Sequence, residues 1–319
     1  MKSRHRQQGI AALTAILVVA IATILAVNLL WQTSVEMRRT ENLLLQDQAR
    51  QYDLGGEEFA KFGLAEDFRQ KGAGGIDSMD EGWAKPLAFE VEGGSLQGFL
   101  RDQQGLFDLN SLVGADGKRN PPAADQYRRL LTLLELEQPL DPGTAEALVE
   151  TTIDWIDPDT LPELNGAEDD RYTGRDPPYR PANFWFTSTS ELLAVEGYTG
   201  EIYSALQPYI TALPRPSQGN SWPLNINTAP ELVLASLMEN TSVDDMKPFV
   251  NGAYELVEDF RNDVPGAAQI PQDLPLDVRS SWFLLTASAS IGSAQSIMYS
   301  LLERDGEVIR TRRRTFEAK

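Results

Sequence analysis

The chain has 319 residues, enough for one large domain or two modest ones, and 42% of them are hydrophobic, an ordinary share for a folded core. It has no cysteine and a single histidine, His5, which excludes disulfide frameworks, thiol catalysis and cysteine-ligated metals and leaves carboxylates to carry any site. A net charge of −19 repels nucleic acid and favours hard cations or basic protein partners.

The chain opens on a basic leader, MKSRHRQQG, with Lys2, Arg4 and Arg6, followed by an apolar run over residues 10–31 broken only by Thr14, Thr23 and Asn28. That run is long enough for a spanning helix, and the leader's positive charge holds residues 1–9 on the cytoplasmic side. A secretory signal places its small-residue cleavage site after the apolar run, whereas Gly9 precedes it. A signal peptide and a plain anchor both leave Gly9 unexplained. A leader cut on the cytoplasmic face after Gly9, making Ile10 the new N-terminus, explains it.

On these residues the sequence resembles type IV pilins and, more closely, the pseudopilins of type II secretion. Thr14 stands where the fifth mature residue of those families is usually glutamate. A carboxylate in the membrane is costly unless a neighbour's terminal amine pairs with it. A subunit at the end of a filament needs it least, and its loss marks the K-class minor pseudopilins, which the chain resembles most.

Beyond the membrane, residues 31–70 continue as an amphipathic helix with Leu45, Tyr52, Phe59 and Phe62 at helical spacing, expected to pack on a sheet. Gly55-Gly56 marks a bend or a close approach. Two strands follow around Gly93-Gly94. Helical signals then cover 126–136, 142–155, 190–195, 201–213, 229–238 and 252–260, with Asp141, Ser190 and Thr228 as N-caps. Strands return after residue 280, and Asp305-Gly306 is the strongest hairpin signal in the chain. The run Arg312, Arg313, Arg314 reads as the solvated end of the last strand.

The expected fold class is α+β, with a long pilin-like N-terminal helix packed on an antiparallel sheet and a large inserted all-helical subdomain. Its parts are a leader at 1–9, a transmembrane segment at 10–31, pilin-like pieces at 32–111 and 279–319, and the insertion at 112–278. Such an insertion is what the K class adds to the pseudopilin fold, so the resemblance covers essentially the whole chain.

The densest chemistry lies in TTIDWIDPDTLPELNGAEDDRY, where Asp154, Asp157, Asp159, Glu163, Glu168, Asp169 and Asp170 crowd around Pro158, Pro162 and Gly166. Carboxylates so close repel unless solvated or bridged by a cation, and a wrapped loop of oxygens suits calcium. The spacing is not that of an EF-hand. By the residues alone, a solvated acidic loop and a cation site are equally open. The resemblance implies bound calcium, with Asp157, Asp159, Glu168 and Asp169 as matching residues and Asp170 as a further candidate; Asp154 fits a ligand or a helix end equally well. Paired carboxylates also serve glycoside hydrolysis, but nothing flanking them reads as a sugar cleft.

WPLNINTAPELVLASL and ELLAVEGYTGEIYSALQPYITAL look like helix–hairpin–helix elements. Neither carries a lysine or arginine, so they read as packing units with no nucleic acid partner. The resemblance implies a structural, non-enzymatic subunit in the bacterial inner membrane with its bulk in the periplasm. Implied partners are the I, J and H classes of minor pseudopilin and the prepilin peptidase, with contacts to a secreted substrate or outer-membrane channel. The competing reading is a membrane-anchored, calcium-dependent periplasmic binding module unrelated to secretion.

Overall fold

The computed structural model describes residues 4–217 and 219–316, with side chains from residue 10 onward. Lys2 and the side chains of Arg4 and Arg6 fall outside the described residues, while the backbone at Gly9 is part of the helix that follows.

Helix α1 (Arg4–Lys71) is unbroken over 68 residues, about 100 Å at 1.5 Å per residue. No proline occurs before Pro86, so nothing in this stretch removes an amide or clashes with the preceding turn. Its apolar part, from Ile10 to Trp31, is exposed throughout, and by length and composition α1 can cross a membrane. The two threonines there are satisfied within the helix. Thr14 Oγ1 donates to the Ala11 carbonyl at 3.0 Å and Thr23 Oγ1 to that of Val19 at 2.8 Å, as a lipid environment requires. The helix stops at Gly72, whose φ of +71° suits glycine and whose amide donates to the Phe68 carbonyl at 2.8 Å.

The second half of α1 packs on a five-stranded antiparallel sheet. Strands β1 (Leu87–Val91) and β2 (Gly94–Asp102) form the first hairpin. After an insertion, β7 (Trp282–Ile291), β8 (Ala294–Asp305) and β9 (Val308–Phe316) complete the order β1-β2-β7-β8-β9. Gly93 and Gly306 sit at positive φ in their hairpin turns, as the Gly93-Gly94 and Asp305-Gly306 signals predict. A bulge between Leu301 and Leu302 shifts the register, so that Leu301 faces Arg313 and Leu302 faces Thr311.

The face that α1 buries differs from the expected one. Leu45 and Tyr52 do pack on the sheet beside Ala49, Leu96, Ala289 and Ile291. Phe59 and Phe62 do not; they are 48% and 64% exposed and line an apolar groove with Phe89 and Phe99. The sheet-facing stripe is instead Ala49, Asp53, Glu57, Ala60 and Leu64, all buried. Two acids stand in this stripe, which hides it from a hydrophobic pattern. Gly56 is a close approach without a bend, since a Cβ there would lie 3.3 Å from the Leu96 side chain.

The insertion begins after Asp102 and ends before Trp282, because the Gln103 amide donates to the Trp282 carbonyl at 2.9 Å. Its core includes Phe107, Leu109 and Leu112, so residues 103–111 belong to it and not to the sheet. In chain order it holds β3 (Phe107–Asp108), α2 (Pro121–Thr132), α3 (Pro142–Ile156), α4 (Asp169–Thr173), α5 (Gly200–Leu206), β4 (Ile210–Thr211), β5 (Leu224–Asn225), α6 (Glu231–Ser236), α7 (Val243–Met246), α8 (Val257–Asp263) and β6 (Leu276–Asp277). It is helical apart from two short parallel ladders, β3 with β4 and β5 with β6.

The site of attachment is set by the helix. At one end of the sheet, Ser293 Oγ lies 3.4 Å from Asn42 Oδ1 and Gln48 reaches the Glu92 carbonyl. At the other, Arg304 pairs with Asp67 at 3.4 Å and Arg69 with Glu307 at 3.4 Å. The insertion leaves and re-enters at this second end. It therefore sits beyond the C-terminal end of α1, away from the exposed apolar run.

Candidate metal centre

Asp141 caps α3, its carboxylate accepting from the Gly143 and Thr144 amides at 2.9 and 3.2 Å. The buried residues Val149, Ile153 and Ile156 then fix α3 in the core and deliver Asp154 and Asp157 to its C-terminal end. That end carries the negative pole of the helix, so two carboxylates there call for a compensating cation.

The following loop wraps over them. Asp154 Oδ1 accepts from the Glu163 amide at 3.1 Å, and Glu150 Oε2 accepts from the Asn165 amide at 2.7 Å. Only glycine fits at position 166, where a Cβ would lie 1.8 Å from Asp154 Oδ2. The chain thereby returns Glu168 to Asp157 and Asp159, and these three carboxylates each offer an oxygen within 4.8 Å of the others.

Asp157 and Glu168 are 7% and 6% exposed. Asp157 Oδ1, both Glu168 oxygens and Asp154 Oδ2 are buried without a hydrogen-bond partner among the described residues. Burial, then the neighbouring charges of Asp159 and Asp154, pushes the Asp157 carboxyl up to about 7. Burial, then Asp154, Asp157, Asp159 and Asp169, likewise pushes Glu168 up to about 7. Four orphaned buried oxygens in an all-carboxylate cage fit a hard cation, and the absence of nitrogen and sulfur donors favours calcium over transition metals.

Of the expected ligands, the fold brings Asp157, Asp159 and Glu168 together. Asp169 stands beside them, its Oδ2 3.5 Å from Arg180 Nη1, and Asp170 is exposed in the first turn of α4. Asp154 combines both readings offered by its position, buried in the last turn of α3 with one oxygen organising the loop and the other unpartnered. A second acidic group, Asp67, Asp77 and Glu81, is already neutralised by the chain's own cations, Lys71 on Asp67 and Glu81 and Arg304 on Asp67 and Asp77.

The two helix–hairpin–helix look-alikes are packing units. In the first, Asn225 Nδ2 donates to the Asp77 carbonyl, Asp102 Oδ2 and Ser280 Oγ at 3.1, 3.0 and 2.9 Å, tying the insertion to the sheet. Thr228 is not a cap; its hydroxyl donates to Asp102, and α6 starts after Pro230. In the second, Tyr198 joins Tyr127 and Thr152 in a buried hydroxyl cluster at 2.7 and 2.8 Å. Ser188, not Ser190, caps its first turn, in a capping box with Glu191.

The family description "Type II secretion system (T2SS), protein K" matches residues 105–215. Type II secretion system protein K of Aeromonas hydrophila is 33% identical, over 98% of each chain. That of Pseudomonas aeruginosa is 32% identical, over 96% of this chain and 92% of its own length. Among solved structures, one from the GspK–GspI–GspJ complex of enterotoxigenic Escherichia coli superposes with a TM-score of 0.75, at 25% identity, covering 88% of this chain and 100% of that one.

Proposed function

From the premise that the chain belongs to the type II secretion system protein K family, we propose that it is the minor pseudopilin capping the tip of a periplasmic pseudopilus. The family is one of structural pseudopilins and not an enzyme family. The alternative of a calcium-dependent module unrelated to secretion finds no support in these relatives.

The observation that carries the tip assignment is the attachment of the insertion beyond the distal end of α1, where its bulk blocks a further subunit from stacking above. The apolar groove of Phe59, Phe62, Phe89 and Phe99 offers the I- and J-class pseudopilins a surface below it, in keeping with the complex from which the structural neighbour comes. The leader is removed after Gly9 by prepilin peptidase, leaving Ile10 as the terminus of a single-pass inner-membrane protein. Asp157, Asp159 and Glu168, with Asp154 and Asp169 adjoining, hold a calcium ion that stabilises the insertion.

Two measurements test this. Co-expressed with prepilin peptidase, the protein loses nine residues and begins at Ile10, and a bulky residue at position 9 blocks the cut. Gold label on the insertion decorates one end of assembled pseudopili; label along their whole length would overturn the tip assignment.

A further inference from the structure

The loop over the carboxylate cage presents two leucines to solvent. Leu161 is 77% and Leu164 91% exposed, and neither belongs to a hydrophobic cluster. Isolated exposed leucines are ordinary on mobile loops. This loop is pinned. The Leu161 amide donates to Asp159 Oδ1 at 2.8 Å, the Glu163 and Asn165 amides donate to Asp154 and Glu150, and the Gly166 amide donates to the Glu163 carbonyl at 3.0 Å. Asn183 Nδ2 donates to the Asp159 carbonyl at 2.6 Å and ties in a second segment, where Phe184 is 60% exposed. Three large apolar side chains are thus carried by anchored backbone, which lowers the ordering cost of engaging them.

The rim selects the partner. No lysine or arginine occurs between Asp154 and Asp170, while seven acids do, so one bound divalent cation leaves the loop negative. The nearby arginines are engaged, Arg171 and Arg175 with Glu196 and Arg180 with Asp169. From Trp31 to Lys71, α1 rises about 60 Å, and the insertion lies beyond it, out of reach of the membrane that α1 crosses. Acidic residues also repel anionic headgroups.

We propose that Leu161 and Leu164 form a docking knob for a protein surface that offers an apolar socket rimmed by lysines or arginines. Leucines enter the socket while Glu163 and Asp170 meet its basic rim. This rests on the calcium reading in one respect: Asp157, Asp159 and Glu168 would hold the ion, which would keep the loop closed.

The test uses full-length protein in phosphatidylcholine nanodiscs, with empty discs as the blank and a fluorescein-labelled peptide of alternating leucine and lysine as the probe. In millimolar calcium the wild type binds this peptide, and binds its lysine-to-glutamate counterpart at least tenfold more weakly. Leu161→Ser/Leu164→Ser weakens the lysine peptide at least tenfold yet keeps the calcium-induced rise in melting temperature, which shows the loop intact. Equal binding by wild type and double variant, equal binding of both peptides, or a leucine-dependent preference for phosphatidylglycerol vesicles overturns the proposal. Leucine-dependent binding without any calcium-induced rise supports the docking knob and removes only the ion.

Discussion

Glu57 of α1 and Arg314 of β9 form a two-bond pair across the helix–sheet boundary, with Nε to Oε2 at 2.8 Å and Nη2 to Oε1 at 2.7 Å. The carboxylate is fully buried and also accepts from the Ser300 and Thr311 hydroxyls, with Lys61 at 3.0 Å. Residues 312–314 are exposed, as expected of a solvated strand end, and the partly exposed Arg314 guanidinium also clamps the last strand to the helix. Arg312 in turn pairs with Glu303 on the neighbouring strand.

Removing Arg314 leaves the buried carboxylate with Lys61 as its remaining cation and without its two-bond partner. Arg314→Ala is expected to cost roughly 3 kcal/mol, and replacing both partners by apolar residues, Glu57→Leu with Arg314→Met, to cost less. Burial alone raises the Glu57 carboxyl, but Arg314, Ser300, Thr311 and Lys61 outweigh it and hold it well below the usual range. Its contribution is therefore complete above the unfolded value near 4.3 and fades as pH falls toward the folded one. Thermal melts of wild type and variants across acidic pH check both statements.

One turn earlier, Asp53 is fully buried, and neither its oxygens nor the facing Ser296 hydroxyl has a hydrogen-bond partner among the described residues. Burial pushes this carboxyl up to about 6. Between the ordinary aspartate value and 6 the folded protein holds the extra proton, so stability falls as pH rises through that window. Asp53→Asn is expected to gain about 2 kcal/mol at pH 8 and nothing at pH 4. An equal effect at both values would show that Asp53 is not ionised by burial-resisted titration in the fold.

For the carboxylate cage, calcium at a few millimolar is expected to stabilise the chelator-stripped protein by about 1–2 kcal/mol if the site has the affinity of extracellular modules. Magnesium does less, since it keeps its waters. Asp157→Asn and Glu168→Gln hold or raise the metal-free melting temperature, because they relieve repulsion, and lose the calcium response. Glu163→Ala keeps the response, as its amide and not its side chain serves Asp154. Identical melts with and without calcium in the wild type would leave the loop merely acidic.

Two glycines give opposite outcomes. Gly55→Ala lies mid-helix with nothing within 4 Å of the new Cβ and is expected to stabilise by about 0.5–1 kcal/mol. Gly166→Ala drives a Cβ onto Asp154 Oδ2 and is expected to destabilise by more than 2 kcal/mol and abolish calcium binding. Denaturation curves and a calcium titration of each variant decide both.

Much of the architecture was readable because it is written locally. The β1–β2 and β8–β9 hairpins announce themselves through Gly93 and Gly306, residues tolerant of positive φ. The Pro142 helix and its Asp141 cap follow from neighbouring residues. The later helices are less legible. Residues 201–213 break into α5, a 3-10 turn and β4, since Ile210 pairs with Phe107 a hundred residues away. The Asp102–Asn225–Ser280 junction left no signal in any window, because its members meet only after the sheet and insertion have formed.

The sequence by itself determined an apolar run long enough to cross a membrane, the residue pattern around Gly9 and Thr14, the division into sheet and insertion, and the acidic loop in which three carboxylates converge. Each follows from near neighbours, through hydropathy, charge or backbone freedom. Only the tertiary structure decided which face of α1 is buried, that Arg314 is a clamp, and that Asp157, Asp159 and Glu168 converge while Asp170 stays outside. The physical reason is that a carboxylate's place, inside or out, depends on its partners: Glu57 is tolerable in the core only because Ser300, Thr311 and Arg314, more than two hundred residues later, are brought against it.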